Sequence, residues 1–155
     1  MASLRAQILA VVKAKLDAVK ADLEFTSVLV NPRTPIGTDQ LDALLLLHGG
    51  DREPDWLTGS VEEVWLEFGV GWMVRETADG SAEEQLDAAF VAVSDALTDP
   101  DDVQLSGLVV EIRRGALSEP QIGRAMDGAD VLAGQFCDFA ARYMAREGDA
   151  SNPGP

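Results

Sequence analysis

Cysteine, histidine and tyrosine each occur once in this 155-residue chain, and only 12 basic residues face 27 acidic ones. A single Cys137 excludes an intrachain disulfide and points to a reducing compartment. A single His48 leaves no partner network for a catalytic triad, and a zinc site needs several nitrogen or sulfur ligands. The scarcity of cations gives a formal net charge of −15. Such a field repels free DNA and anionic membrane surfaces. Basic residues do not cluster with aromatics along the sequence as single-strand readers require. No apolar run approaches the ~18 residues of a membrane span. Lys13 and Lys15 interrupt the N-terminal apolar stretch, which argues against a secretory signal. Neither a G-x-G-x-x-G nor a Walker pattern is present.

What is present reads as an ordinary globular protein: 46% hydrophobic and 25% charged residues. The length suits one domain, burying about two thirds of its unfolded surface. We expect a single α/β domain over residues 1–147 and a disordered C-terminal tail over 148–155. The charge is uneven. Residues 39–102 hold 17 acidic side chains and two basic ones, Arg52 and Arg75, which alone amounts to −15. This concentration serves solubility, or it forms an acidic surface for a basic partner or for repelling a polyanion.

Periodicity gives the elements. Leu4, Ile8, Val11, Val12, Leu16, Val19 and Leu23 recur at helical spacing, with Ser3 placed as N-cap. Phe25 to Val30 reads as a short strand, stopped by Asn31-Pro32. Leu41 to Leu47 is an unbroken apolar run that predicts a strand buried on both faces, ended by His48-Gly49-Gly50-Asp51. The 13 residues from Gly49 to Val61 read as a long exposed loop. Val64, Leu66, Phe68, Val70, Trp72 and Val74 alternate with a mixed set containing two glycines, the signature of a strand with one apolar face. Ser81-Ala82-Glu83-Glu84 opens a second amphipathic helix with a capping box, and Leu86, Ala89, Phe90, Val93 and Leu97 line its apolar side. Leu105 to Ile112 is extended or turn-like. For Val131 to Arg146, helix and strand both fit the pattern.

The search for chemistry finds little. His48 reads as a strand-end residue and Cys137 as core packing. Asp99-Pro100-Asp101-Asp102 lacks the alternating oxygen ligands and central glycine of a calcium loop. No catalytic residue, cofactor site or metal site is expected. The feature left over is the segment Asn31, Pro32, Arg33, Thr34, Pro35. Its prolines fix the backbone before any contact forms, and Arg33 suits a carboxylate or carbonyl on a neighbour. A tight connector is the alternative. With Asp51, Arg52 and Glu53 of the following loop, this segment is the candidate protein–protein interface.

The order of elements carries a further signal, in the stretches "LRAQILAVVKAKLDAV", "VLVNPRTPIGTDQLDALLLLHGG", "VEEVWLEFGVGWMV", "AEEQLDAAFVAVSDAL" and "FAARYMAREGD". Over nearly its whole length the chain resembles the tail terminator (tail completion, minor tail) proteins of long-tailed phages and phage-like particles. The resemblance implies an α/β (α+β) domain with an antiparallel or mixed sheet of four to five strands packed against two amphipathic helices. It favours a strand for residues 131–146. It also implies a non-enzymatic virion protein, hexameric rings that cap the tail tube, and a surface that joins the head. Implied partners are the tail tube protein and the head connector or stopper protein. DNA would pass through the ring without specific binding, and no membrane is involved. Assembly would be cytoplasmic, with the product at the head–tail junction of the particle. A cytoplasmic adaptor, or a small metal-dependent hydrolase using acidic residues, are the rival classes.

Overall fold

The computed structural model describes residues 2–51, 55–56, 61–77, 80–102, 104–105, 107–124, 130–146 and 149–153. Helix α1 spans Leu4–Leu23, and the Ser3 side chain accepts from the Ala6 N–H at 3.2 Å, as a serine N-cap does. Glu24, in the left-handed region at φ 57°, ends the helix by turning the chain toward the sheet. Strand β1 (Ser27–Val30) follows, and a connection with one 3-10 turn (Thr38–Gln40) leads to β2 (Ala43–Asp51). Strands β3 (Asp55–Trp56) and β4 (Val61–Arg75) precede helix α2 (Ala82–Leu97). Ser81 caps α2 by accepting from the Glu84 N–H. Strands β5 (Glu111–Leu117), β6 (Gln121–Arg124), β7 (Val131–Arg146) and β8 (Asp149–Pro153) complete the chain.

The described strands form one mixed sheet with the central order β1-β2-β4-β7-β5. β1 and β2 are parallel and every other pair is antiparallel. β3 pairs with β4, while β6 and β8 pair with β7. The fold is thus α+β, with five strands on the through-path and two helices on one side. The spine is the β4–β7 pair, in register from Val61 opposite Arg146 to Arg75 opposite Leu132. Residues 131–146 are a strand: Ala133, Cys137, Phe139, Ala141, Tyr143 and Ala145 alternate inward and are all buried.

The core lies between this face and the helices. Leu4, Ile8, Val12 and Leu16 of α1 and Leu86, Ala89, Val93 and Leu97 of α2 meet Val64, Leu66, Phe68, Val70, Trp72 and Val74 of β4. Each fully buried large apolar side chain contributes about 1.5–3 kcal/mol. The Phe68 and Phe139 rings stack at 5.7 Å between centroids. Lys15 pairs with Asp102 at 2.9 Å, tying α1 to the chain that follows α2.

The structure differs from the sequence reading in three places. The strand expected over Leu41 to Leu47 is not buried on both faces. Leu44 and Leu46 are enclosed, whereas Leu47 is 37% exposed, because both helices cover the same side. Nor does it stop at His48: β2 continues to Asp51 through a register shift between His48 and Asp51. Gly49 permits this, since a Cβ there would lie 2.4 Å from the Glu67 carbonyl oxygen. The long loop over 49–61 is thereby shortened, with β3 inside it. Finally, Asp149–Pro153, expected within a disordered tail, turns back on β7, with Ala145 opposite Pro153 and Arg146 opposite Asp149. β5 begins only at Glu111, opposite Arg142, so the end of β7 offers backbone donors and acceptors that β8 takes up.

Candidate functional site

The helices leave one face of the sheet uncovered, and the alternation of the strands decides what it shows. β2 contributes Leu45 and Leu47; β4 contributes Trp65, Glu67, Gly69, Gly71 and Met73; β7 contributes Gly134, Phe136, Asp138, Ala140 and Arg142. Leu47 and Phe136 are 37% and 39% exposed. The glycines keep the middle of the face low. A Cβ on Gly69 would sit 3.0 Å from Phe136 Cε2, so the Phe136 ring lies over that glycine. The result is a cleft of about 550 Å³, bordered by Leu47, Glu67, Gly69, Arg113, Phe136 and Asp138.

One end of this face is polar and tightly organised. Arg142 Nη1 donates to Glu63 Oε2 at 3.2 Å. Its Nε lies 3.1 Å from Glu111 Oε1, within ion-pair reach but not aligned as a hydrogen bond. Arg113 grips Glu111 through two hydrogen bonds, at 3.0 and 3.1 Å. Both guanidiniums flank the Trp65 ring, 5.1 Å (Arg113) and 5.8 Å (Arg142) from its centroid. Basic residues therefore do meet an aromatic in space, contrary to the linear reading. Partners 48 and 77 positions apart in the chain are brought together by β5–β7–β4 pairing, which no local pattern reveals. Each guanidinium here already has a carboxylate, so the cluster is a fixed platform and not an open phosphate site.

The segment Asn31–Pro35 sits at the end of β1. Asn31 adopts φ 44°, its N–H donates to the Leu46 carbonyl at 2.9 Å, and its Oδ1 accepts from the His48 N–H at 2.8 Å. Asn31 is thus a clip between β1 and β2. Pro32, Arg33, Thr34 and Pro35 are all exposed beyond it. Asp51 is the last residue of β2, opposite Leu66. Arg52 and Glu53 lie outside the described residues. The first half of the expected interface is therefore an outward loop, anchored beside the strand that borders the cleft. The cleft itself escaped the sequence reading. Its signal was the pair Gly69 and Gly71 on the mixed side of β4.

Among the described residues, the two groups with shifted titration are not gathered into a reactive set. Burial lowers the His48 pKa, helped by the nearby positive charge of Arg5, which also donates to the Gly49 carbonyl. Burial pushes the Cys137 thiol up, opposed by Arg114 and reinforced by Asp138. A raised thiol pKa suppresses the nucleophilic thiolate, and Cys137 packs in the core. Among the described residues no group of three or more His, Cys, Asp or Glu side chains is placed to hold a metal ion, and no helix is long and apolar enough to cross a membrane.

No family model matches the chain, and no curated protein matches it. Among solved structures, the chain is similar to one in the virion of a native gene transfer agent (GTA) particle. The two share 17% identity with a TM-score of 0.53, over 92% of this chain and 96% of the other, so they have the same α+β fold along nearly their whole lengths.

Proposed function

We propose that this protein is a structural component of a phage-like particle, a tail terminator that caps the tail tube as a ring and forms the surface for head–tail joining. The observation that carries the virion role is the shared fold with a chain of a gene transfer agent virion, spanning both chains almost end to end. The open sheet face supports it: an apolar, glycine-lowered surface bordered by fixed charge pairs suits contact with protein. The finer assignment, to tube capping by a hexamer, rests on the sequence resemblance to tail terminators. So do the partners: the tube protein on one side and a head connector or stopper on the other.

A cap acts without chemistry. It occupies the growing end of a polymer and offers the next subunit no matching surface. The charge fits the same role. Glu83, Glu84, Asp87 and Asp95 stand exposed on α2, which carries no basic residue. If part of the acidic segment lines the ring's channel, it repels phosphates and lets a duplex pass without sticking. Deleting the gene is expected to give tails of uncontrolled length that do not join heads, and purified protein added to such tails is expected to restore joining. Normal-length, head-joined tails in the deletion strain would overturn the capping role and favour an adaptor.

A further inference from the structure

The exposed loop and the open cleft have complementary chemistry. From Phe25 to Thr38 the only charged residue is Arg33, so this stretch is locally positive in a chain of net charge −15. Arg33 makes no ion pair with the described residues. The cleft on the open face presents Asp138, exposed and likewise without an ion pair among the described residues, beside the Phe136 ring and Leu47. Of the two cations that line the cleft, Arg113 is already held by Glu111 and by Trp65, and Arg114 lies over the Phe90 ring. The cleft thus combines an available carboxylate, an aromatic ring and an apolar wall, which is what a guanidinium on a proline-bracketed loop needs.

We propose that the cleft bordered by Leu47, Phe136 and Asp138 receives the Pro32–Pro35 loop of a second copy of this chain, with that copy's Arg33 paired to Asp138. The loop meets the ordering cost in advance. Pro32 and Pro35 restrict its backbone, and Asn31 is bonded to both Leu46 and His48. Loop and cleft are different surfaces, so the contact is heterologous: every copy offers one of each, and the arrangement closes into a ring when the rotation permits. It also joins strongly acidic copies through a loop whose single charge is positive. The inference specifies the subunit contact within the proposed ring, and rests on that reading for its biological setting.

The test uses the full chain in two ways. Thr34→Cys and Asp138→Cys proteins, mixed at high concentration under mild oxidation, are expected to form a disulfide between the two variants and little within either alone. Sedimentation across a concentration series is expected to show Arg33→Glu weakening self-association about 30-fold or more, as for loss of a desolvated charge pair. The double variant Arg33→Glu with Asp138→Arg is expected to recover most of it. Unchanged association in Arg33→Glu, or no mixed disulfide, overturns the contact. Trapping of Asp138→Cys by tube protein in place of a second copy overturns it too. None of these failures touches the capping role, which is read separately from restored head joining by the wild-type chain.

Discussion

The two faces of the sheet are built from the same strands and have opposite fates. On the helix side Trp72, Val70 and Leu66 are fully enclosed. One residue along from the enclosed Leu46 of β2 and Cys137 of β7, Leu47 and Phe136 keep more than a third of their surface in solvent. Hydrophobicity does not distinguish them; what covers them does. The difference separates apolar residues that hold the fold from apolar residues held by the fold for something else.

The sharpest way to break this comparison is to truncate one residue on each face. Trp72→Ala is expected to cost about 3–5 kcal/mol in urea unfolding, the range for removing a large buried aromatic. Leu47→Ser is expected to stay within about 1 kcal/mol of wild type while weakening assembly. Equal losses would mean the open face is part of the folding core. Trp72→Phe sharpens the point. Trp72 Nε1 is buried with no hydrogen-bond acceptor among the described residues, so removing that donor offsets part of the lost packing.

Glycines give the next contrast. At Gly49 an added Cβ meets the Glu67 backbone oxygen at 2.4 Å, and backbone cannot yield cheaply. At Gly69 it meets the Phe136 ring at 3.0 Å, and that ring has solvent to swing into. Gly49→Ala is therefore expected to cost about 1–3 kcal/mol and Gly69→Ala less, within about 1 kcal/mol. Chemical denaturation of the pair checks the order. The reverse order would show that Phe136 is locked and that the cleft is more rigid than its exposure suggests.

A smaller effect is expected at the polar end of the open face. Arg142 pairs with Glu63 and Glu111, with side-chain exposures of 28%, 17% and 29%. Partial exposure screens the pairs, so Arg142→Gln is expected to cost about 1 kcal/mol at low salt and less at high salt. Melting curves at two ionic strengths test this. A cost independent of salt would mean the Arg142 stem packs against Trp65 and the charges contribute little.

The same contrast explains what could be read in advance. Both helices with their serine caps and the inward residues of β4 were legible, because burial on one side imposes a period, while the α+β class came with the family resemblance. β7 was legible only through the family resemblance. Its alternating small residues Ala133, Ala141 and Ala145 give a weak strand signal, and Leu132, Phe136, Phe139, Ala140 and Tyr143 also satisfy a helical spacing. β6 was not legible at all: Gln121–Arg124 is wholly exposed and is a strand only because β7 offers it a ladder. Candidate loop residues were visible through Pro32 and Pro35. The cleft was not, since it depends on Leu47, Gly69 and Phe136 meeting across three strands.

The smallest effect concerns pH and lies at the junction of the two faces, where His48 ends the exposed run of β2. Burial, then the Arg5 charge, lowers its pKa, so the folded protein favours neutral imidazole relative to the unfolded chain. Between the folded and unfolded values the unfolded chain binds more protons, so stability rises with pH across that window. His48's contribution is thus intact above the unfolded value of about 6.5 and is lost as pH falls through the lowered folded value. The abundant carboxylates also titrate on acidification, so the quantity to read is the difference between wild type and His48→Gln. Above about pH 7 that difference is expected to be constant; below it, wild type is expected to lose stability relative to the variant. Because desolvation is the larger cause, Arg5→Gln is expected to retain most of this slope. Parallel stability curves for wild type and His48→Gln throughout would mean the imidazole is hydrated in the fold as fully as in the unfolded chain. Loss of the whole slope in Arg5→Gln would instead assign it to the cation.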